Sequence, residues 1–291
     1  MTLLAAFADE RAIAERLASE LGAPLHLVAL HRFPDGESLP IVPATSGHVV
    51  VYRSLNRPDR KLTSLLLAAD AWRRAGASRL TLVAPYLCYM RQDAVFRAGE
   101  PLSRDVVTGW LAAAFDRVIT VDPHLHRTPD LAALLGPETL TLSAGPLLAD
   151  AIGPGGDDWV IVGPDAESAQ WASRVAAALG APSLMLSKMR LGDRSVRLSS
   201  SDLELVRGRA AVLVDDVSSS GGTLRQAVQR LLAAGARSVD VAVTHSLLRP
   251  SDERRLHSVG ARRILCTDSC RPDGSVRLAA LLASTLKDDF Q

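Results

Sequence analysis

Two adjacent carboxylates, Asp215 and Asp216, follow an aliphatic run and precede a loop of small residues in the stretch VLVDDVSSSGGTL. Thr223 then begins the run TLRQAVQRLLAAGA, which has the spacing of an amphipathic helix. Glycines let successive backbone N–H groups face one phosphate, and the dipole of a following helix adds partial positive charge. The carboxylates can hold ribose hydroxyls or a hydrated Mg²⁺ ion. This stretch therefore indicates a site for a sugar phosphate.

A plain strand-to-helix turn with an aspartate N-cap is the alternative interpretation of the same stretch. One residue is enough for a cap, whereas here two acids precede the small residues SSSGG. No GK[ST] triplet follows, so the loop is not a Walker loop, and no GxGxxG fingerprint is present. The candidate phosphate donors are Ser219, Ser220, Gly221, Gly222 and Thr223.

Other polar side chains also follow aliphatic runs, where a parallel sheet would gather them at one edge and bind a ligand there. The stretch APYLCYMRQD ends in Arg91, Gln92 and Asp93, and GPDAES carries Asp165 at a further strand end. In VDPHLHR, His124 and a second histidine two residues later are either metal ligands or ordinary loop histidines.

Two more segments have both a structural and a functional interpretation. RFPDGES, with Phe33, Asp35 and Glu37, contains a PDG turn that predicts a hairpin. The segment from Leu186 to Asp202 is rich in lysine and arginine and contains a glycine. It is either an exposed hairpin or a lid that brings cations to a polyphosphate.

Composition limits the class of protein. The chain has 291 residues, 47% hydrophobic and 22% charged, which favours about two domains with buried cores. A net charge of +1 gives no basic field for nucleic acid. No apolar run reaches the ~18 residues of a membrane span, and the N-terminus does not have the pattern of a signal peptide. Three cysteines without a paired motif do not indicate zinc. We expect a soluble, cytoplasmic protein.

Strands and helices alternate along the chain, and the continuous aliphatic runs predict a mostly parallel sheet between helices. The two halves look like copies. A strand ending at Arg53 and another ending at Asp215 each lead through a polar loop to a helix that closes on Ala-Gly-Ala, followed by a further strand. Chance similarity of α/β units is the alternative. The sequence predicts two domains, residues 1–143 and 144–291.

Six blocks in order carry a resemblance to a known family: RFPDGES, AWRRAGASRLTLVAPYLCYMRQD, VITVDPH, VGPDA, KMR, and VLVDDVSSSGGTL with AGARSVDVAVTH. Over nearly its whole length the chain resembles the ribose-phosphate pyrophosphokinases. This resemblance implies two type I phosphoribosyltransferase-like α/β domains related by pseudo-twofold symmetry. It also implies transfer of the β,γ-diphosphate of ATP to ribose 5-phosphate, with Mg²⁺ as cofactor, in a homo-oligomer of at least two chains.

Residue roles follow from the resemblance alone. Lys188 and Arg190 would be catalytic, and His124 and Asp165 would line the metal–polyphosphate site. Asp215 and Asp216 would hold the ribose, and the loop from Ser219 to Thr223 its 5-phosphate. The ATP site would be formed by Phe33, Asp35, Glu37, Arg91, Gln92 and Asp93.

Departures from the family pattern are also present. Ser219-Ser220 stands where many bacterial members have Asp-Thr, so the loop is closer to the archaeal-type branch. Two other functions remain open: a phosphoribosyltransferase that consumes phosphoribosyl pyrophosphate, and a non-catalytic paralogue that regulates a partner synthase. A transferase needs neither the RQD block nor the KMR segment, and a regulatory paralogue typically carries damaged loops.

Overall fold

The computed structural model describes residues 2–125, 127, 130–155, 158–186 and 203–291. The chain forms two compact units. The first consists of residues 2–142 together with Leu278–Gln291, and the second is Ser143–Arg277. The sequence-based division at 143/144 assigned the C-terminal end to the second domain, whereas by its contacts this segment lies with the first unit.

Ten α-helices, one short 3-10 helix (Ala8–Glu10) and twelve strands are assigned in the described residues. The strands are β1 Thr2–Phe7, β2 Leu25–Arg32, β3 Ser38–Ile41, β4 His48–Tyr52, β5 Arg79–Val83, β6 Arg117–Val121, β7 Leu140–Leu142, β8 Trp159–Gly163, β9 Ser183–Met185, β10 Ala210–Ser218, β11 Ser238–Ser246 and β12 Ala261–Cys266. The helices are α1 Arg11–Leu21, α2 Pro58–Arg74, α3 Ser103–Ala114, α4 Ala132–Leu135, α5 Gly145–Ile152, α6 Ala169–Leu179, α7 Gly222–Ala233, α8 Pro250–Ser258, α9 Ala279–Ser284 and α10 Lys287–Phe290.

Each unit contains one sheet. In the first unit the strand order is β3-β2-β1-β4-β5-β6-β7, and all neighbours are parallel except the β2–β3 hairpin. In the second the order is β12-β11-β10-β8-β9, with parallel pairing throughout. The prediction of mostly parallel sheets flanked by helices is confirmed.

The two sheets share one strand order over five strands. The order β2-β1-β4-β5-β6 of the first unit corresponds to β9-β8-β10-β11-β12 of the second. Helices occur at corresponding places. Helix α1 follows β1 as α6 follows β8, and α2 follows β4 as α7 follows β10. This correspondence agrees with the internal copy indicated by the sequence.

Strand β10 shows why continuous aliphatic runs form the centre of each sheet. Ala211 and Leu213 belong to a buried cluster with Leu224 and Val228 of α7. Val212 points into another buried cluster, which includes α6 residues. Because successive side chains of a strand point to opposite faces, a strand covered on both faces has apolar residues at every position.

The C-terminal segment is held to the first unit by polar contacts as well as packing. Arg117 Nη1 donates to Asp289 Oδ2 at 2.8 Å, and Arg117 Nη2 donates to the Thr285 carbonyl at 3.0 Å. His48 Nδ1 lies 3.7 Å from Asp289 Oδ1, and His48 Nε2 lies 2.8 Å from Thr81 Oγ1. All of these partners lie in the first unit, and their contacts explain why the C-terminal segment belongs to it.

A pH dependence of stability follows from His48. Burial lowers the pKa of His48 below its ordinary value of 6.5, although the Asp289 carboxylate acts in the opposite direction. The folded protein therefore binds fewer protons than the unfolded chain, and this contribution to stability is lost as the pH falls below about 6.5. We expect His48→Gln to reduce the drop in the urea unfolding midpoint between pH 7.5 and 5.5.

The matched control is His26→Gln, because His26 is exposed. This variant should keep the pH dependence of the wild-type chain. An unchanged drop in the midpoint for His48→Gln would contradict the prediction.

Candidate active site

The loop after β10 is shaped by Gly221, which is the N-cap of helix α7 and has φ of +68°. A Cβ atom at this position would lie 3.3 Å from Leu248 Cδ2 and 3.4 Å from Leu256 Cδ1. L-residues other than glycine are disfavoured at positive φ, and the space beside Gly221 is already filled. Glycine makes this turn without strain, whereas a larger residue at position 221 would have both an unfavourable φ and close contacts with two leucine side chains.

The loop faces solvent at the N-terminus of a twelve-residue helix. Ser219, Ser220 and Thr223 are exposed, while Gly221 is buried. No side chain in the described part of the chain caps α7. Arg225 Nη1 donates to the Ser220 carbonyl at 3.0 Å, which ties the loop to the first turns of the helix. Backbone N–H groups at such a helix N-terminus, with exposed hydroxyls beside them, suit a phosphate.

The two adjacent carboxylates differ in their surroundings. Asp216 is 2% exposed, whereas Asp215 is half-buried. Asp215 Oδ1 accepts from the backbone N–H of Asp216 at 3.0 Å, and Asp216 Oδ1 accepts from that of Val217 at 2.7 Å. The backbone at the strand end is thus held by both side chains, and Asp215 is the one more accessible to a sugar hydroxyl.

Asp165 follows β8, the parallel neighbour of β10. Its Oδ1 accepts from the backbone N–H groups of Glu167 at 3.1 Å and Ser168 at 3.2 Å. In the strand order, β8 is followed along the chain by its outer neighbour β9, and β10 is followed by β11 in the opposite direction. Crevices at such reversals of strand order are the usual ligand sites of open α/β sheets. The structure therefore brings Asp165 and the phosphate loop to the same edge of the second sheet.

In the first unit the corresponding crevice lies between β1 and β4, and charged side chains of the chain itself occupy it. Arg53, at the position that matches Asp215, is 3% exposed and donates to Asp9 at 2.5 Å and to Glu10 at 3.1 Å. Lys61 Nζ also donates to Glu10, at 2.9 Å. Burial raises the pKa of Glu10, against the lowering effect of the two cations. The first crevice thus lacks the open loop of the second.

Arg91, Gln92 and Asp93 lie after β5, as predicted. Gln92 Oε1 accepts from Ser103 Oγ at 2.6 Å, at the start of helix α3. Arg91 and Gln92 are exposed, but Asp93 is buried and accepts from Arg127 Nη1 at 2.7 Å. The sequence interpretation overlooked Arg127. The sequence indicates only that Asp93, an acid close after a buried strand, needs a partner, because a buried carboxylate needs a cation or several donors. It does not identify Arg127 as that partner.

The remaining predicted residues of the first unit lie in two loops. His124 is partly exposed in the loop after β6, next to the strand that leads to the RQD block. Phe33, 40% exposed, stands at the tip of the β2–β3 hairpin, where the Glu37 N–H donates to Asp35 Oδ1 at 3.0 Å. The predicted PDG hairpin is present, and its turn residues are exposed.

Lys188 and Arg190 fall within residues 187–202, and the second histidine of VDPHLHR is residue 126; all lie outside the described residues. Within the described ranges, no three His, Cys, Asp or Glu side chains come together as metal ligands. None of the described helices is long and apolar enough to cross a membrane.

Residues 2–114 match the family model of the N-terminal domain of ribose phosphate pyrophosphokinase, and residues 144–268 match that of the phosphoribosyl transferase domain. The crystal structure of phosphoribosylpyrophosphate synthetase from Mycobacterium smegmatis has a TM-score of 0.84 at 28% identity, and the match covers 99% of this chain and 98% of that one.

Fold and site together define a two-domain protein of the phosphoribosyltransferase type. Ribose-phosphate pyrophosphokinase from Methanopyrus kandleri is 36% identical over 282 residues, covering 95% of each chain. The protein of the same name from Methanothermobacter thermautotrophicus is 34% identical over 280 residues, covering 95% of this chain and 96% of that one. The chain belongs to the ribose-phosphate pyrophosphokinase family, and both of these relatives are archaeal.

Proposed function

We propose that the protein transfers the β,γ-diphosphate of ATP to the 1-hydroxyl of ribose 5-phosphate, giving phosphoribosyl pyrophosphate and AMP. The observation that carries the proposal is the exposed Ser/Gly loop between Asp216 and helix α7, at the crevice of the second sheet. The 5-phosphate would accept from the loop N–H groups and from the hydroxyls of Ser219, Ser220 and Thr223. Asp215, the more accessible of the two acids, would accept from the ribose hydroxyls, and the family resemblance gives the same role to Asp216.

In this proposal the donor nucleotide is bound by residues of the first unit. Arg91 and Gln92 are exposed next to the sheet edge, where a polyphosphate can reach them. Phe33 presents an exposed ring at the hairpin tip, suited to stacking on adenine, with Asp35 and Glu37 beside it. By resemblance the hairpin serves the ATP site of a second copy of the chain, so a homo-oligomer of at least two chains is part of the proposal.

Mg²⁺ fits the residues present. Magnesium in phosphoryl-transfer sites uses one or two carboxylates with substrate phosphates and water, so a cage of three protein ligands is not required. Asp165, and also His124 as a nitrogen donor or through water, would hold the metal–polyphosphate complex. When bound, Mg²⁺ neutralises polyphosphate charge that would otherwise repel the sugar phosphate. The preference for magnesium and a cytoplasmic location stay predictions.

The reaction itself asks the protein for positioning and fixed positive charge. Displacement at the β-phosphorus builds charge on the equatorial and leaving oxygens, and cations placed there lower the barrier. Lys188 and Arg190 would provide these cations. Their segment lies outside the described residues, so this assignment depends on the KMR match alone.

An assay of the purified protein with Mg·ATP and ribose 5-phosphate tests the proposal. We expect AMP and phosphoribosyl pyrophosphate in equal amounts. Turnover that requires an added nucleobase and phosphoribosyl pyrophosphate would indicate a phosphoribosyltransferase instead. A folded protein that forms no AMP but changes the activity of a partner synthase would indicate the regulatory paralogue.

A further inference from the structure

An ion pair between Asp93 and Arg127 joins two loops of the first unit. Arg127 Nη1 donates to Asp93 Oδ1 at 2.7 Å. The loops follow β5 and β6, which are adjacent and parallel, so both leave from the same edge of the sheet. One loop also carries Arg91 and Gln92, and the other carries His124. The pair therefore connects two segments that both belong to the proposed ATP site.

Asp93 is poorly placed to contact a nucleotide. Its side chain is 4% exposed, and its Oδ2 atom is buried with no hydrogen-bond partner among the residues that the structure describes. A buried carboxylate is costly without a paired cation. Arg127 provides this cation, so the structure accounts for the acid at position 93 by its contact with Arg127.

Arg127 is placed between the interior and the surface. Its side chain is 47% exposed, and Cζ lies 5.7 Å from the centre of the Phe96 ring, within the range of a cation–π contact. Phe96 belongs to the same loop as Asp93 and is itself 70% exposed. Two contacts thus hold the Arg127 guanidinium, three residues after His124, against the loop after β5.

We infer that Asp93 and Arg127 are positioning residues of the ATP site that act as one unit, with Asp93 acting through Arg127 and not by touching the nucleotide. This inference rests on the proposed function. It changes the role that the family resemblance gives to Asp93, from a ligand of ATP to a support of the neighbouring loop.

A double-mutant cycle on nucleotide binding tests the inference. The variants are Asp93→Asn, Arg127→Gln and the double variant, with the Kd for Mg·ATP from isothermal titration calorimetry as the main readout. Each single variant should raise the Kd for ATP about tenfold. The Kd of the double variant should not exceed the higher of the two single-variant values, because the effects of residues that act as one unit do not add. The KM for ribose 5-phosphate should stay within about twofold, since the site of the sugar is unchanged.

Two further variants separate positioning from general damage. Arg127→Lys keeps a cation and one donor for Asp93 Oδ1, and we expect ATP affinity within about threefold of wild type. Arg73→Gln removes an ion pair of the same length, 2.7 Å to Asp116, next to the amino end of β6. This control should leave ATP binding unchanged.

Several results would overturn the inference. If the Kd of the double variant rises by the product of the two single effects, Asp93 has a contact with ATP of its own. If Arg127→Gln leaves the Kd for ATP unchanged, Arg127 is not a positioning residue. If Asp93→Asn does not fold, the Kd values for ATP of Arg127→Gln and Arg127→Lys test the inference. Weakened binding in the first and near wild-type binding in the second would support it. A wild-type chain that binds ATP but forms no AMP would reject only the proposed function, whereas one that binds no ATP would reject both.

Discussion

Lys188→Ala is expected to lower kcat by about 10²–10³, the usual loss when one fixed charge facing a transition state is removed. The KM values for ATP and ribose 5-phosphate should change little. A cation that meets charge developing only in the transition state contributes to turnover and not to substrate binding. Steady-state kinetics, together with calorimetric binding of Mg·ATP, measures both quantities.

The control for this variant is Arg194→Ala, in the same basic segment but outside the KMR block. We expect its turnover to stay near that of the wild-type chain. A near-normal turnover number for Lys188→Ala would remove this residue from the mechanism. Equal losses in both variants would indicate that the segment acts through its total charge.

Gly221→Ala is expected to lower kcat/KM for ribose 5-phosphate by about 10², the effect of a displacement near 1 Å at a binding group. The backbone at Gly221 has φ of +68°, and an added methyl group would press on Leu248 and Leu256. The unfavourable φ of alanine is relieved by a movement of the loop, and the loop N–H groups then no longer converge on one phosphate. The Kd for Mg·ATP should be unchanged, because the proposal gives the Ser/Gly loop no contact with ATP.

Gly208→Ala is a closely matched control. Gly208 has φ of +71°, nearly that of Gly221, but an added Cβ would meet no atom of the described residues within 4 Å. It precedes β10, whereas the phosphate loop follows that strand. This variant should lose some stability and keep the KM for ribose 5-phosphate. A similar rise of that KM in both variants would show that the effect comes from general destabilisation.

The strands at the centre of each sheet are predictable because their environment is uniform. A strand covered by helices on both faces needs apolar residues throughout. Strand β8 has them, and so do the first five residues of β10. The Ser/Gly loop is predictable for a related reason. Phosphate recognition by backbone groups depends on residues that are consecutive in the sequence.

Features that depend on distant residues could not be predicted from local patterns. Arg117 holds Asp289, and no periodicity links positions so far apart. The burial of Asp93 depends on Arg127, whose loop is brought near only by the pairing of β5 with β6. The unequal exposure of Asp215 and Asp216 likewise follows from strand pairing, since the two residues are chemically the same.

The return of the C-terminal segment to the first unit has a consequence for biosynthesis. A polypeptide leaves the ribosome from its N-terminus, and domains generally fold as units in that order. Here residues 2–142 emerge before Ser143–Arg277, but Leu278–Gln291, which belong to the same unit as residues 2–142, emerge after it. Ser143–Arg277 form one uninterrupted stretch and are all made before that segment. Of the two units, the one whose synthesis starts earlier is therefore also the one that is completed later.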